Sequence, residues 1–309
     1  MAVAELSGES VVVHGQSLAL ERVLCDFCGG RDFHPFWEVM RYGINLPTVL
    51  CKNCGLCMTN PRPTPEANEL FNATLYHRFH GKQNLTEYTE RSIRLAAPRV
   101  SLLQTFVDPQ AALSVFEIGT GVGQFQLGTR KATAWNVSGI DANQESAQAC
   151  RQQGLDVRQA FIEDVSGTAT YDVVASFQVL EHIRSPRDFL ARARELLKPD
   201  GLIYIEVPNL SRPGMGLDRK FQLPHLFNFS ATTLRNYLHR AGFESIYVAE
   251  RVALTMIARR VDRAADGFER YDVKDFMQRL RMVNRIHRLA RLIPNVPVLR
   301  KIRSTLEVV

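Results

Sequence analysis

From Leu113 onward the chain alternates apolar runs of strand length with stretches whose apolar residues recur at helical spacing. The runs are Leu113 to Ile118, Val137 to Ile140, Asp156 to Gln159, Tyr171 to Phe177 and Leu202 to Val207. Helical periodicity fills the gaps between them, most plainly at Asn143 to Gln153 and at Pro186 to Leu197, where "KPDG" reads as a stop. This alternation predicts parallel strands joined by helical crossovers in a doubly wound α/β sheet. A further helix is expected at Ala231 to Arg240, after which Gly242 turns the chain into "FESIYVAE" and "ALTMIARR". Those two runs lie too close together for a helical crossover, so they predict an antiparallel hairpin on the sheet edge, for seven strands in all.

Upstream the pattern thins. Residues 31–50 offer short strand-like pieces but too few apolar positions for a core of their own. Five of the six cysteines stand here, in "CDFCGG" and "CKNCGLC", while Cys150 lies alone in a helical stretch. Cys25/Cys28 and Cys51/Cys54 form two Cys-x-x-Cys pairs separated by twenty-two residues, the spacing of two knuckles that hold one zinc ion with four thiolates. A pair of disulfides is the rival reading, and nothing in the sequence indicates the secretion it would need. Cys57 is either a substitute for Cys54 or a spare thiol, and His34 reads as a loop residue. Four thiolates leave no position for water, so the ion expected here is structural and supplies folding energy that the apolar residues cannot.

Prolines at 61, 63 and 65 then form a rigid linker, with Thr64 as helix cap and Pro65 at the first helical position. The resulting division is a zinc-binding module over 1–63, a helical linker or lid over 64–106, an α/β domain over 107–260 and a basic helical extension over 261–309. The lid segment gathers Tyr76, His77, His80 and Tyr88.

Composition changes little in this picture, being that of a globular chain with 45% apolar and 23% charged residues. The formal charge of +6 is uneven: thirteen Lys or Arg face five acids between Arg259 and Arg303, so the basic character belongs to the tail and not to the α/β domain. Nucleic acid is therefore not the expected partner. Phe276, Leu280, Val283, Ile286 and Leu289 or Leu292 share one side of the tail's helical pattern, which suits packing on the protein's own domain or a second subunit. A peripheral contact with anionic membrane or an acidic carrier protein is the alternative. No secretory leader and no apolar run of eighteen residues is visible, which reads as a cytoplasmic monomer or homodimer.

Candidate chemistry begins at "VFEIGTGVGQF", the turn after the first strand of the α/β domain. Its glycines, Gly119, Gly121 and Gly123, are spaced G-x-G-x-G, and Gln124 stands where a dinucleotide fingerprint needs its third glycine. The lysine and hydroxyl of a phosphate-cradling loop are also missing. Glu117 repels a pyrophosphate but suits an ammonium group, and Asp141, at the end of the second strand, is placed to take two ribose hydroxyls. The ligand so described carries a ribose and a cation.

With these motifs the chain resembles the class I S-adenosylmethionine-dependent methyltransferases, a Rossmann-like fold. "FEIGTGVGQF", "GIDANQESAQAC", "YDVVASFQVLEHIRSP", "LLKPDGLIYIEVPN" and "LHRAGFESIYVAER" follow the family's order and spacing over residues 95–260. The cysteine pairs running into "NPRP" are similar to a bacterial subgroup acting on sugars, surface polysaccharides and natural products, some of whose deoxysugar enzymes carry a large C-terminal domain that has no counterpart in the fifty residues here. The resemblance implies that Gly119 and Gly121 line the cofactor's methionine portion with Glu117 at its ammonium, and that Asp141 holds the ribose. Phe161 and Ile162 flank adenine, Glu163 or Asp164 reaches its amino group, and Gln178 lies beside the methionine moiety. His182 in "QVLEHI" is the leading base, with His225 in "LPHLFNFS" as a second catalytic candidate. Tyr76, His80 and Asn209 are candidates for contact with the acceptor.

The expected function is methyl transfer from S-adenosylmethionine to oxygen or carbon of a small, sugar-linked molecule. Two other classes compete with it: methylation of RNA or protein, with the zinc module and tail as docking surfaces, and cofactor binding without turnover.

Overall fold

The computed structural model describes residues 9–71, 96–212, 217–262 and 267–269, with 277–278, 281–282 and 285 of the tail. Its centre is a seven-stranded sheet ordered β13-β14-β11-β10-β7-β8-β9. The strands are β7 (Ser114–Ile118), β8 (Asn136–Asp141), β9 (Asp156–Gln159), β10 (Tyr171–Phe177), β11 (Leu197–Pro208), β13 (Phe243–Glu250) and β14 (Ala253–Arg260). Strands β7 to β11 run parallel, and β14 pairs antiparallel with both β11 and β13, as the edge hairpin predicts. The chain enters at β7 in the middle of the sheet and then proceeds to either side, which opens a crevice at the carboxyl ends of β7 and β10. Strand β10 is apolar and buried along Val173–Phe177 because it lies between two parallel neighbours with both faces covered.

Helices α2 (Gln124–Ala132), α3 (Gln144–Gln152), α4 (Pro186–Leu196) and α6 (Ala231–Arg240) flank the sheet, after a short α1 (Pro65–Leu70) and before α6 a one-turn α5 (Leu217–Lys220). Their starts are written locally: Thr64, Asn143, Ser185 and Ser230 each accept a backbone N–H from the first turn of the helix they cap. One boundary differs from expectation. "KPDG" does not separate α4 from its strand; α4 ends at Leu196 and β11 begins at Leu197. Lys198 stays on the sheet because its ammonium holds both oxygens of Asp172 at 2.9 Å, and the extra residues are taken up as a bulge, with Asp200 at φ +59°.

The N-terminal residues form two small sheets. One joins β1 (Ser10–Val13), β2 (Gln16–Glu21) and β6 (Arg62–Pro63); the other runs β12-β5-β4-β3, from β3 (Phe33–Val39), β4 (Asn45–Cys51) and β5 (Cys57–Thr59) to β12 (Phe227–Asn228). Strand β12 comes from the segment after β11, so the cysteine-bearing sheet is completed by the α/β domain. Asp26 reinforces the junction by accepting from Ser185 Oγ at 3.0 Å and Tyr237 Oη at 2.9 Å, while Arg240 lies 4.3 Å over the Phe27 ring. Cys25, Phe27 and Leu56 share a continuous core with Leu234, Tyr237 and Leu238 of α6.

No helix of the described residues is long and apolar enough to cross a membrane. Most of the tail, including its proposed apolar side, lies outside the described residues, but Met277 is buried in the same apolar core as Leu18, Leu46 and Phe221.

Candidate active site

At the carboxyl end of β7 the chain bends through Gly119 and Gly121, both with positive φ (+78° and +54°). At Gly119 an added Cβ would lie 2.3 Å from Val179 Cγ2, so only glycine lets the loop after β10 pack onto this turn. The turn is tied to β8: Gly119 and Thr120 donate to the Ile140 carbonyl, and Gly121 N–H donates to Asp141 Oδ2 at 2.7 Å. Asp141 Oδ1 accepts from Asn143 N at 2.8 Å, so one carboxylate orients both loops. Burial raises the pKa of Asp141 although these bonds oppose it.

Glu117, 3% exposed, is the next-to-last residue of β7, and its Oε2 has no hydrogen-bond partner among the described residues. Burial raises its pKa well above the usual carboxylate range, and Asp141 adds to the effect while Arg99 opposes it. A cation placed against Glu117 would satisfy this oxygen and reverse the cost of burying it. Arg99, on the helical segment 96–103, pairs with Glu206 and lies 4.5 Å over the Phe177 ring at the end of β10. Gln178 follows at φ +59°; its N–H donates to the Glu206 carbonyl at 2.7 Å and its side-chain amide to Glu206 Oε1 at 3.2 Å.

Beyond β9, Phe161 presents its ring to solvent, 61% exposed, while Ile162 is buried. Glu163 and Asp164 sit with Ile162 in a 3-10 turn whose two carboxylates face outward. An exposed aromatic of this size beside the crevice is a surface a flat ring could cover.

The turn Leu180–His182 after β10 brings three further side chains together. His182 and His225 meet edge to face, with ring centroids 4.8 Å apart, although forty-two residues separate them in sequence. The Leu226 N–H donates to the Glu181 carbonyl at 2.8 Å, and Thr59 holds the neighbouring backbone by donating its hydroxyl to the His225 carbonyl at 3.0 Å. Glu181 is 1% exposed, with Oε1 3.8 Å from His182 Nε2, and no described residue donates a hydrogen bond to either of its oxygens. Burial pushes its pKa up to about 8, with the charge of Glu206 adding to the shift.

Among the remaining candidates, Asn209 spends its amide on backbone, donating to the Arg251 carbonyl at 3.0 Å and accepting from Ser211 N at 2.9 Å. Tyr76 and His80 lie outside the described residues. Glu181 and Arg99 are the residues that the sequence reading passed over. For Glu181 a signal existed, an acid set between Leu180 and Ile183 in an otherwise apolar turn; for Arg99 none did.

In the N-terminal module the Sγ atoms of Cys25, Cys28, Cys51 and Cys54 all lie within 4.8 Å of one another, with the Cys25–Cys54 and Cys28–Cys51 pairs at 3.5 Å. The two knuckles repeat one geometry, in which Gly29 N–H reaches the Cys25 carbonyl and Gly55 N–H the Cys51 carbonyl, each at 2.8 Å. Tetrahedral zinc thiolates at 2.3 Å lie about 3.8 Å apart, so the four sulfurs fit that ion. Cys57 points elsewhere, into the core around Leu50 and Phe36.

The methyltransferase-domain family model matches residues 74–248, more than half of the chain. The chain belongs to this family. Among curated methyltransferases, the ubiquinone biosynthesis O-methyltransferase of Actinobacillus pleuropneumoniae serotype 7 is 30% identical over 132 residues, which are 38% of this chain and 56% of that protein. A probable S-adenosylmethionine-dependent methyltransferase of Mycolicibacterium smegmatis is 28% identical over 137 residues, 43% of this chain and 53% of its own. The chain thus spans about half the length of the curated relatives it matches. A chain of the complex between the Haloferax volcanii Trm112 methyltransferase activator and a methyltransferase superposes with a TM-score of 0.50 at 14% identity, over 63% of this chain and 97% of that one. Burkholderia thailandensis 1,6-didemethyltoxoflavin-N1-methyltransferase, with S-adenosylhomocysteine bound, gives a TM-score of 0.49 at 21% identity, covering 67% and 96%.

Proposed function

We propose that this methyltransferase-family chain transfers the methyl group of S-adenosylmethionine to a hydroxyl oxygen of a small molecule. The observation that carries the reading is the contact between the two halves of the site: Val179, next to the Glu181/His182 turn, packs on Gly119 of the turn that bears the cofactor groups. In this reading Glu117 receives the ammonium, the Gly119–Gly121 backbone lines the methionine portion and Gln178 lies beside it. Asp141 takes the ribose hydroxyls, with Phe161 and Ile162 against adenine and Glu163 or Asp164 at its amino group. Asn209 shapes the wall of the acceptor site, and Tyr76 and His80 belong to its lid.

Transfer is an in-line displacement that needs the acceptor oxygen placed and its proton removed. His182, one-third exposed beside buried Glu181 and His225, is the residue positioned to take that proton. Oxygen is preferred to carbon as acceptor because the named relatives include O-methyltransferases. A sugar-linked acceptor rests on the resemblance of the cysteine module alone, so hydroxylated rings and sugar hydroxyls both belong in a substrate panel. Cys25, Cys28, Cys51 and Cys54 hold a structural zinc ion, which anchors β4 and β5 beneath the acceptor wall.

Calorimetric titration with S-adenosylmethionine is the test. Micromolar binding that is lost in Glu117→Gln is the expected result, and folded, zinc-loaded protein that binds no cofactor would end this reading.

A further inference from the structure

Glu181 poses a problem that proton transfer alone does not solve. A buried carboxyl group with neither oxygen hydrogen-bonded by a described residue is costly, and a chain that retains one needs either a proton or a cation there. Among the described residues, two imidazoles lie within reach of it. The ligand atoms offered by Glu181, His182 and His225 all lie within 4.8 Å of one another. The side-chain amide of Gln222 lies 3.1 Å from His225 Nε2, and turning that amide to bring its oxygen to this position lets it accept the Nε2–H of a ring that ligates through Nδ1.

We propose that Glu181, His182 and His225 form a divalent-cation site in the acceptor pocket, separate from the four-cysteine site. Two imidazoles and a carboxylate suit Mn2+, Fe2+, Co2+ or Zn2+ better than Ca2+ or Mg2+, which prefer all-oxygen shells. Ligands sharing an ion at about 2.1 Å lie about 3 Å apart when adjacent, so the triad closes by side-chain rotation, for which His182, one-third exposed, has room. Three protein ligands leave positions open, and an acceptor hydroxyl can take one of them.

The inference rests on the methyl-transfer reading and changes the part His182 plays in it, from proton acceptor to ligand. The ion acidifies the acceptor hydroxyl, whose proton passes to bulk water. An oxygen lone pair then forms the O–C bond to the methyl carbon. The C–S bond breaks with its electron pair on sulfur, turning the sulfonium into the neutral thioether of S-adenosylhomocysteine.

The test uses full-length protein whose four-cysteine site is already filled with zinc, as checked by metal analysis. Mn2+ is titrated in by electron paramagnetic resonance, and Zn2+ by calorimetry in a parallel sample. One further ion per chain is expected, with affinity reduced at least tenfold in Glu181→Gln and in His225→Gln. Cofactor binding by each variant controls for folding. Methyl transfer to a hydroxyl acceptor should rise at least tenfold when Mn2+ is added to ion-free wild type, and should not rise in Glu181→Gln. A protein that binds S-adenosylmethionine but neither ion overturns the site, as does binding that survives in both variants. Binding of an ion without any effect on turnover overturns its catalytic role. Failure of the methyl-transfer reading looks different: cofactor binding is absent while the Mn2+ titration still reports on the triad.

Discussion

Asp141 and Lys220 show how one side chain sets the properties of a larger region. Asp141 accepts from Gly121 on one oxygen and from Asn143 on the other, so its charge both shapes the glycine turn and faces the proposed ribose. Asp141→Asn keeps one acceptor and loses the second together with the charge. Hydrogen bonds to charged groups contribute roughly 1.5–3 kcal/mol, so cofactor affinity by calorimetry should fall about 10- to 100-fold. Lys220, buried in α5, donates to the carbonyls of Leu210 at 2.7 Å and Arg212 at 2.5 Å. Burial, with the charge of Arg212, lowers its pKa to about 7. A depressed pKa in a basic group means that the unfolded chain binds the extra proton between pH 7 and the ordinary lysine value. The stabilising contribution is therefore complete above that value and is lost as pH falls through 7. Thermal unfolding should show wild type gaining stability from pH 7 to pH 10 relative to Lys220→Met. Parallel curves would show that Lys220 does not titrate in this window.

At the scale of elements, legibility followed locality. Strand β10 occupies Tyr171–Phe177 as its apolar run predicts, and the edge hairpin lies where two adjacent runs leave no room for a crossover. Strand β11 starts at Leu197, ahead of its predicted start at Leu202, because the Lys198–Asp172 pair on a neighbouring strand overrides the turn propensity of "KPDG". The pairing of β12 with β5 was not legible at all, since two-residue β12 carries no periodicity and its partner is more than 160 residues away. The candidate site divides in the same way. Gly119, Gly121, Asp141 and the four cysteines stand in motifs whose spacing is local, whereas the burial of Glu181 and the ion pair of Arg99 exist only after the chain has folded. The glycine turn is where local and distant meet, because Val179 of the next loop fills the space a Cβ at Gly119 would need. Gly119→Ala also places a side chain at φ +78°, and strain of that kind costs on the order of 1–3 kcal/mol. Lower thermal stability and at least tenfold weaker cofactor binding are expected, and unchanged binding would show that the turn does not contact the cofactor.

On the scale of the whole molecule, the cysteine module and the proposed acceptor wall form one mechanical unit. Strand β4, which ends at Cys51, pairs with β5; β5 pairs with β12, and Thr59 at the end of β5 takes up the carbonyls of both His225 and Leu226. The cofactor half hangs on different supports, since Glu117, Asp141 and the glycine turn are fixed by β7 and β8, which share apolar core with the module but pair with no strand of its sheets. Losing the proposed zinc should therefore damage the two halves unequally. The proposed ion ties the knuckle between β4 and β5 to the one ahead of β3, and disorder there should propagate through β12 to His225 before it reaches β7. Cys54→Ser, or removal of zinc by a thiol-selective reagent, should raise hydrogen exchange over residues 222–229 and lower kcat or raise KM for the acceptor at least tenfold. Cofactor affinity measured on the same sample should change less than threefold. Equal loss of both affinities would mean that the ion holds up the entire fold. Unchanged exchange at 222–229 in zinc-free protein would mean that the wall stands without the module.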